Sequence, residues 1–161
     1  MPILHTQSGG EALSPNGTRI QLTGSQALSI RGPIIEVSVG IEQSAGAGLL
    51  QSGQQLPTPR TGWALIDTGA SITCVDDKAA RELGLPVIDV AKMTSATHTE
   101  VEQNVYPIQI TIVGSALQFN VARAMGAALE PQGIIALIGR DVLSVCTLFY
   151  NGLTGQITLS L

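Results

Sequence analysis

The chain has 161 residues, of which 44% are hydrophobic and only 12% charged, and it carries a formal net charge of -4 at pH 7. That length suits one domain able to bury its own core without metal or disulfide staples. Its Lys and Arg residues, 8 in all and scattered along the chain, exclude a phosphate-binding surface for nucleic acid, and no apolar run approaches the ~20 residues that span a bilayer.

Gly (18) and Pro (8) are abundant, Val, Ile and Thr are frequent, and helix-favouring Lys and Glu are scarce, so many short strands and a mainly β class are predicted. Residues 1–30 are polar, with turn signals at Ser14-Pro15-Asn16-Gly17 and Gly24-Ser25; they read as an edge strand, over 18–23, or as an extension of the domain. They contain no apolar core flanked by positive charge, so no secretory signal is expected and a cytoplasmic location is the reading. Residues 33–41 alternate as a strand. The Gly/Gln/Pro-rich stretch 42–61 is expected to be a long surface loop.

Residues 76–84 read as a short helix, acidic in its first turn and stopped by Gly84, which makes Asp76 and Asp77 structural. Residues 92–99 and 101–113 read as two strands or as a hairpin followed by a strand. Two further strands, 116–122 and 134–138, flank a small-residue loop at 124–133. A short helix over 140–148 and a last strand over 156–161 complete the chain. Cys74 and Cys146, without a CxxC or Cys/His grouping, read as buried thiols in a reducing compartment, and with only His5 and His98 no zinc site is expected.

The most informative segment is 64–71, ALIDTGAS. It sets Asp67 at the end of an apolar strand, where Gly69 gives the backbone freedom to turn. A second apolar segment, 134–143 (IIALIGRDVL), repeats the pattern of strand, Gly and charged pair some seventy residues later. Together the two segments resemble the retropepsin-like aspartic proteases, and the resemblance covers residues 31–161. It implies a closed, barrel-like β subunit with one or two short helices, acting as a homodimer on a protein or peptide substrate, with no cofactor, metal, nucleic acid or membrane.

Carried over residue by residue, the resemblance makes Asp67 the catalytic residue, supported by Thr68, Gly69, Ala70 and Ser71. Gly139, Arg140 and Asp141 become a structural anchor beneath it. Thr94, Ser95, Ala96, Thr97, His98 and Thr99 take the place of the flap over the substrate groove, without the Gly-rich tip of retroviral flaps. Retroviral members have an acidic residue where this chain has Ser71, which leaves Asp141 or Asp76 as the ionic partner expected for Arg140. The strand at 156–161 is expected to pair at or near the two-fold axis.

The chemistry of this family needs two carboxylates about 3 Å apart sharing one proton. This chain has a single Asp-Thr-Gly, so the second carboxylate is expected from an identical subunit. The alternative is a retropepsin-like module that dimerises or binds peptide without cleaving it. Serine or thiol catalysis has little basis: there is no Gly-x-Ser-x-Gly elbow and no His near Cys74 in sequence. A sugar-kinase-like phosphate loop would need further Gly-rich loops and a longer chain.

Overall fold

The computed structural model describes residues 2–94 and 100–161. The N-terminal segment is built into the domain. Strand β1 (Ile3–Gln7) is followed by a hairpin of β2 (Gly10–Leu13) and β3 (Arg19–Leu22), then by helix α1 (Gly24–Arg31). Thr23 and Gln26 form a reciprocal capping box that starts α1, and the helix buries Ala27 and Leu28.

Next come β4 (Ile34–Ile41), α2 (Gln43–Gln51), β5 (Arg60–Ile66), β6 (Cys74–Asp76), α3 (Asp77–Glu82), β7 (Asp89–Thr94) and β8 (Glu100–Ile112). The chain then forms β9 (Gln118–Ala127), a 3-10 turn at Glu130–Gln132, β10 (Ala136–Ile138), α4 (Arg140–Leu143), β11 (Thr147–Asn151) and β12 (Gln156–Ser160). The main sheet runs β4-β5-β10-β6-β9-β8, and β4 also pairs with β8, so six strands close into a barrel with β7 added outside β8. Closure removes the free edges that an open sheet of such apolar strands would expose.

Alternation decides which side chains fill the barrel. Ile35, Val37 and Val39 of β4 point inward with Ile108, Ile110 and Ile112 of β8. Two copies of Ala-Leu-Ile lie side by side: Ala64, Leu65 and Ile66 pair in parallel and in register with Ala136, Leu137 and Ile138. Their Ala and Ile enter the main core, while Leu65 and Leu137 pack outside on Cys74, Met125, Leu129 and Ile134. Because the two strands are parallel, they end at the same end of the barrel, and the residues that follow them, Asp67 and Gly139, emerge together.

Four elements differ from the sequence expectations. The stretch 42–61 is not all loop: Glu42 accepts the Ala45 N–H at 3.0 Å and caps α2. Gly46 and Gly48 hide that helix from propensity reasoning, yet Gly46 is there for contact, since a Cβ would come within 3.3 Å of Ile41 and Leu56 side chains. The described residues thus contain four short helices where one or two were expected. The helix expected over 140–148 ends at Leu143, and Thr147 already begins β11. Finally, β12 lies in the middle of a separate three-stranded sheet, β1-β12-β11, so both of its backbone edges are taken within the chain. The expectation that 156–161 pairs across a two-fold axis is therefore corrected: it would require β1 or β11 to be displaced.

Candidate active site

Asp67 follows the last residue of β5 and is half-buried. Its own N–H donates to the Ile138 carbonyl at 2.9 Å, which fastens the start of the loop to the parallel neighbour. Its Oδ1 accepts the Gly69 N–H at 2.8 Å and the Ala70 N–H at 3.3 Å, an Asx-type turn that fixes the carboxylate by the loop's own backbone. Oδ2 has no hydrogen-bond partner among the described residues. Thr68, Gly69 and Ser71 are exposed.

Arg140 holds the outside of the loop. Its Nη1 donates to the carbonyls of Thr68 (2.9 Å) and Gly69 (2.7 Å), and its Nη2 to Ser71 Oγ at 2.7 Å. The Arg140 N–H also donates to the Ala70 carbonyl at 2.9 Å. Neither Asp141 nor Asp76 pairs with this guanidinium, contrary to the expectation; three neutral oxygens in a fork-shaped arrangement satisfy it instead.

Asp141 serves the inner side of the same loop. Its two oxygens accept the Thr73 hydroxyl (2.7 Å) and the Thr73 N–H (3.0 Å). Thr73 is fully buried, and its Oγ1 also accepts the Gly139 N–H at 3.1 Å. Gly139 has to be glycine: a Cβ there would stand 2.6 Å from the Ile72 carbonyl carbon. Sequence reasoning missed Thr73, whose only signal is that it is the lone polar residue between Ile72 and Cys74-Val75.

The remaining aspartates are engaged elsewhere. Asp76 Oδ1 accepts the Ala79 N–H, and its Oδ2 those of Leu129 and Glu130, all at 2.9 Å. Asp77 receives the Tyr106 hydroxyl at 2.7 Å and pairs with Arg81, while Asp89 pairs with Arg123. Cys74 is buried beside the loop. Burial first, then the charges of Asp141 and Asp67, push its thiol up to about 11, so it carries no thiolate near neutrality and is a poor nucleophile.

A pocket of about 920 Å³ lies between the β1–α1 segment and the β4–β5 wall, lined by Ile30, Ile34, Trp63 and Leu65 among others, and Asp67 is not part of it. Of the expected flap, Thr94 ends β7 and pairs with Glu100, whereas Ser95, Ala96, Thr97, His98 and Thr99 lie outside the described residues. No helix among the described residues is long and apolar enough to cross a membrane.

A closed mainly β barrel with a single Asp-Thr-Gly loop, anchored by a Gly-Arg-Asp segment, defines an acid-protease-like subunit. The chain belongs to the aspartyl protease family, whose model matches residues 54–142 and so contains both the Asp67 loop and the Arg140 anchor. Among solved structures, it is similar to a retropepsin-like aspartic protease from Rickettsia conorii. That likeness has 11% sequence identity, covers 99% of this chain and 92% of the other, and has a TM-score of 0.47. No curated protein matches the chain.

Proposed function

We propose that the chain is an aspartic endopeptidase whose active unit is a homodimer, with Asp67 of each subunit forming the catalytic pair. The observation that carries this reading is the exclusion of every other aspartate. Asp76, Asp77, Asp89 and Asp141 are all held by partners of their own, and of the aspartates Asp67 alone has a carboxylate oxygen without a partner among the described residues. One such group cannot do the chemistry; a second copy across a two-fold axis supplies the other.

In the pair, the ionised Asp67 takes a proton from water as the water attacks the peptide carbonyl. The protonated Asp67 hydrogen-bonds the carbonyl oxygen and stabilises the tetrahedral intermediate. The Asp67 that took the water proton then gives it to the leaving amine as the carbon–nitrogen bond breaks. The Gly69 and Ala70 N–H groups keep each carboxylate in place, and Arg140 keeps the loop itself from moving. In this reading, the paired strands β7 and β8 cover bound peptide.

Asp67→Asn tests it. Cleavage of an unfolded protein substrate should fall by about 10²–10⁴-fold or to nothing, while circular dichroism and association stay as in the parent. Undiminished proteolysis by purified Asp67→Asn would remove the assignment.

A further inference from the structure

We propose that the cavity between the β1–α1 segment and the outer face of β4 and β5 is a binding site for a short apolar peptide with both ends free. The proposal goes beyond the endopeptidase reading and does not depend on it, since Asp67 takes no part in this cavity.

One wall follows from strand alternation. Ile35, Val37, Ala64 and Ile66 fill the barrel, so Ile34 and Glu36 of β4 and Trp63 and Leu65 of β5 face outward, and all four line the cavity. Register sets them in two rows: Ile34 lies opposite Leu65, and Glu36 opposite Trp63. Directly opposed side chains have Cβ atoms about 4.5–5.5 Å apart. An ammonium group in the second row therefore meets a carboxylate and an indole ring together, and each of them attracts such a cation.

The other wall is the chain from Ser8 to Gly10 with the end of α1. The Arg31 guanidinium lies over this backbone: its Nη2 donates to the Glu11 carbonyl, and a Cβ on Gly10 would stand 3.0 Å from its Nη1. That bond occupies one of five N–H donors, and no carboxylate pairs with Arg31 among the described residues. The Glu36 side chain likewise has no partner among the described residues. Arg31 and Glu36 thus border one cavity with opposite charges and form no ion pair with each other.

Backbone groups are free in the same place. The Gly9 N–H and carbonyl have no partner among the described residues, and nothing stands within 4 Å of where its Cβ would be. Beside it, Ser8 Oγ is buried without a partner, an orphan of a kind that folded proteins rarely leave.

These groups are the complement of a peptide. A carboxylate end suits Arg31, an amino end suits Glu36 with Trp63, main-chain amides suit Gly9, and apolar side chains suit Ile30, Ile34 and Leu65. The cavity holds about 920 Å³, near the top of the roughly 300–1,000 Å³ usual for ligand sites, so a single amino acid would leave most of it empty. An apolar monoanion such as a fatty acid would satisfy Arg31 and leave Glu36 unmatched.

Trp63 is the chain's one tryptophan and is 49% exposed, so its emission should move to the blue when a ligand covers it. The titration uses Asp67→Asn, so that no peptide is cut, and trileucine as the probe. Saturable binding of one trileucine per chain is expected, by fluorescence and by calorimetry. N-acetyl-trileucine and trileucine amide should each bind about tenfold more weakly or worse, since each loses a charge-assisted contact. Glu36→Gln, a change at an exposed side chain, should bind the free and the acetylated peptide alike while still preferring a free carboxylate, and Arg31→Gln should do the reverse. Circular dichroism checks that both variants keep the parent's fold.

Three results would overturn the proposal: no heat and no fluorescence change at millimolar trileucine, equal affinity for a peptide capped at both ends, or dodecanoate binding more tightly than trileucine. Because binding is read in a chain without the Asp67 carboxylate, a failure of catalysis and a failure of this site are distinguishable.

Discussion

At the scale of single residues, the Asp67 loop is held from two sides by different chemistry. Arg140 grips exposed oxygens outside it; the Thr73–Asp141 pair ties its buried stem within. Asp67 and Arg140 were legible in the sequence because Asp-Thr-Gly and Gly-Arg-Asp are short words with few structural reasons to occur after apolar strands. Thr73 was not, since its function depends on a partner sixty-eight positions away. The Ser71 hydroxyl explains why no carboxylate is needed by Arg140: a neutral acceptor completes a set of three. Thr73→Val keeps the shape of the side chain but strands the Gly139 N–H and takes a donor from Asp141, at a cost of about 1–3 kcal/mol. A lower urea midpoint for Thr73→Val, largely restored in Thr73→Ser, is the expected outcome.

At the scale of elements, Asp76 is the joint between α3 and the chain after β9. The expectation that it is structural at the head of a helix was readable from the acidic first turn. Its second task, holding the Leu129 and Glu130 N–H groups, was not, because that turn is fifty residues away. Burial alone would push the Asp76 carboxyl up; bonds from the Ala79, Leu129 and Glu130 N–H groups outweigh it, and it lies below its ordinary value. The sign follows from that direction. A lowered carboxyl stabilises the fold fully above its unfolded pKa of about 3.9, and this contribution is lost as pH falls through the folded value. Asp76→Asn, which turns one acceptor into a donor facing N–H groups, should cost about 2–3 kcal/mol at pH 7. Chemical denaturation at pH 7 and below pH 4 should show the gap between parent and variant narrowing in acid.

At the scale of the whole molecule, the mainly β class followed from composition and alternation and the barrel from the family resemblance, but the place of the first thirty residues followed from neither. Their polarity suggests an extension, yet the few apolar residues they contain are well placed. Leu4, Leu22 and Leu28 are buried, and Leu4 and Leu28 belong to the same core as Ile157 and Leu159. The segment also docks by backbone alone: the Ser8 N–H donates to the Gly155 carbonyl at 2.8 Å, and at Gly24 a Cβ would stand 2.4 Å from the Thr154 carbonyl oxygen. Polar sequence hides such contacts, since main-chain groups carry no residue signature. Losing one buried Leu costs about 2–5 kcal/mol, so losing three approaches the about 5–15 kcal/mol that holds a domain together. A chain lacking residues 1–30 should accordingly unfold or aggregate, with no cooperative thermal transition and rapid digestion by an added protease. Were that shortened chain to melt at the parent's temperature, the segment would be an appendage after all, and β12 would gain the free edge that β1 now covers.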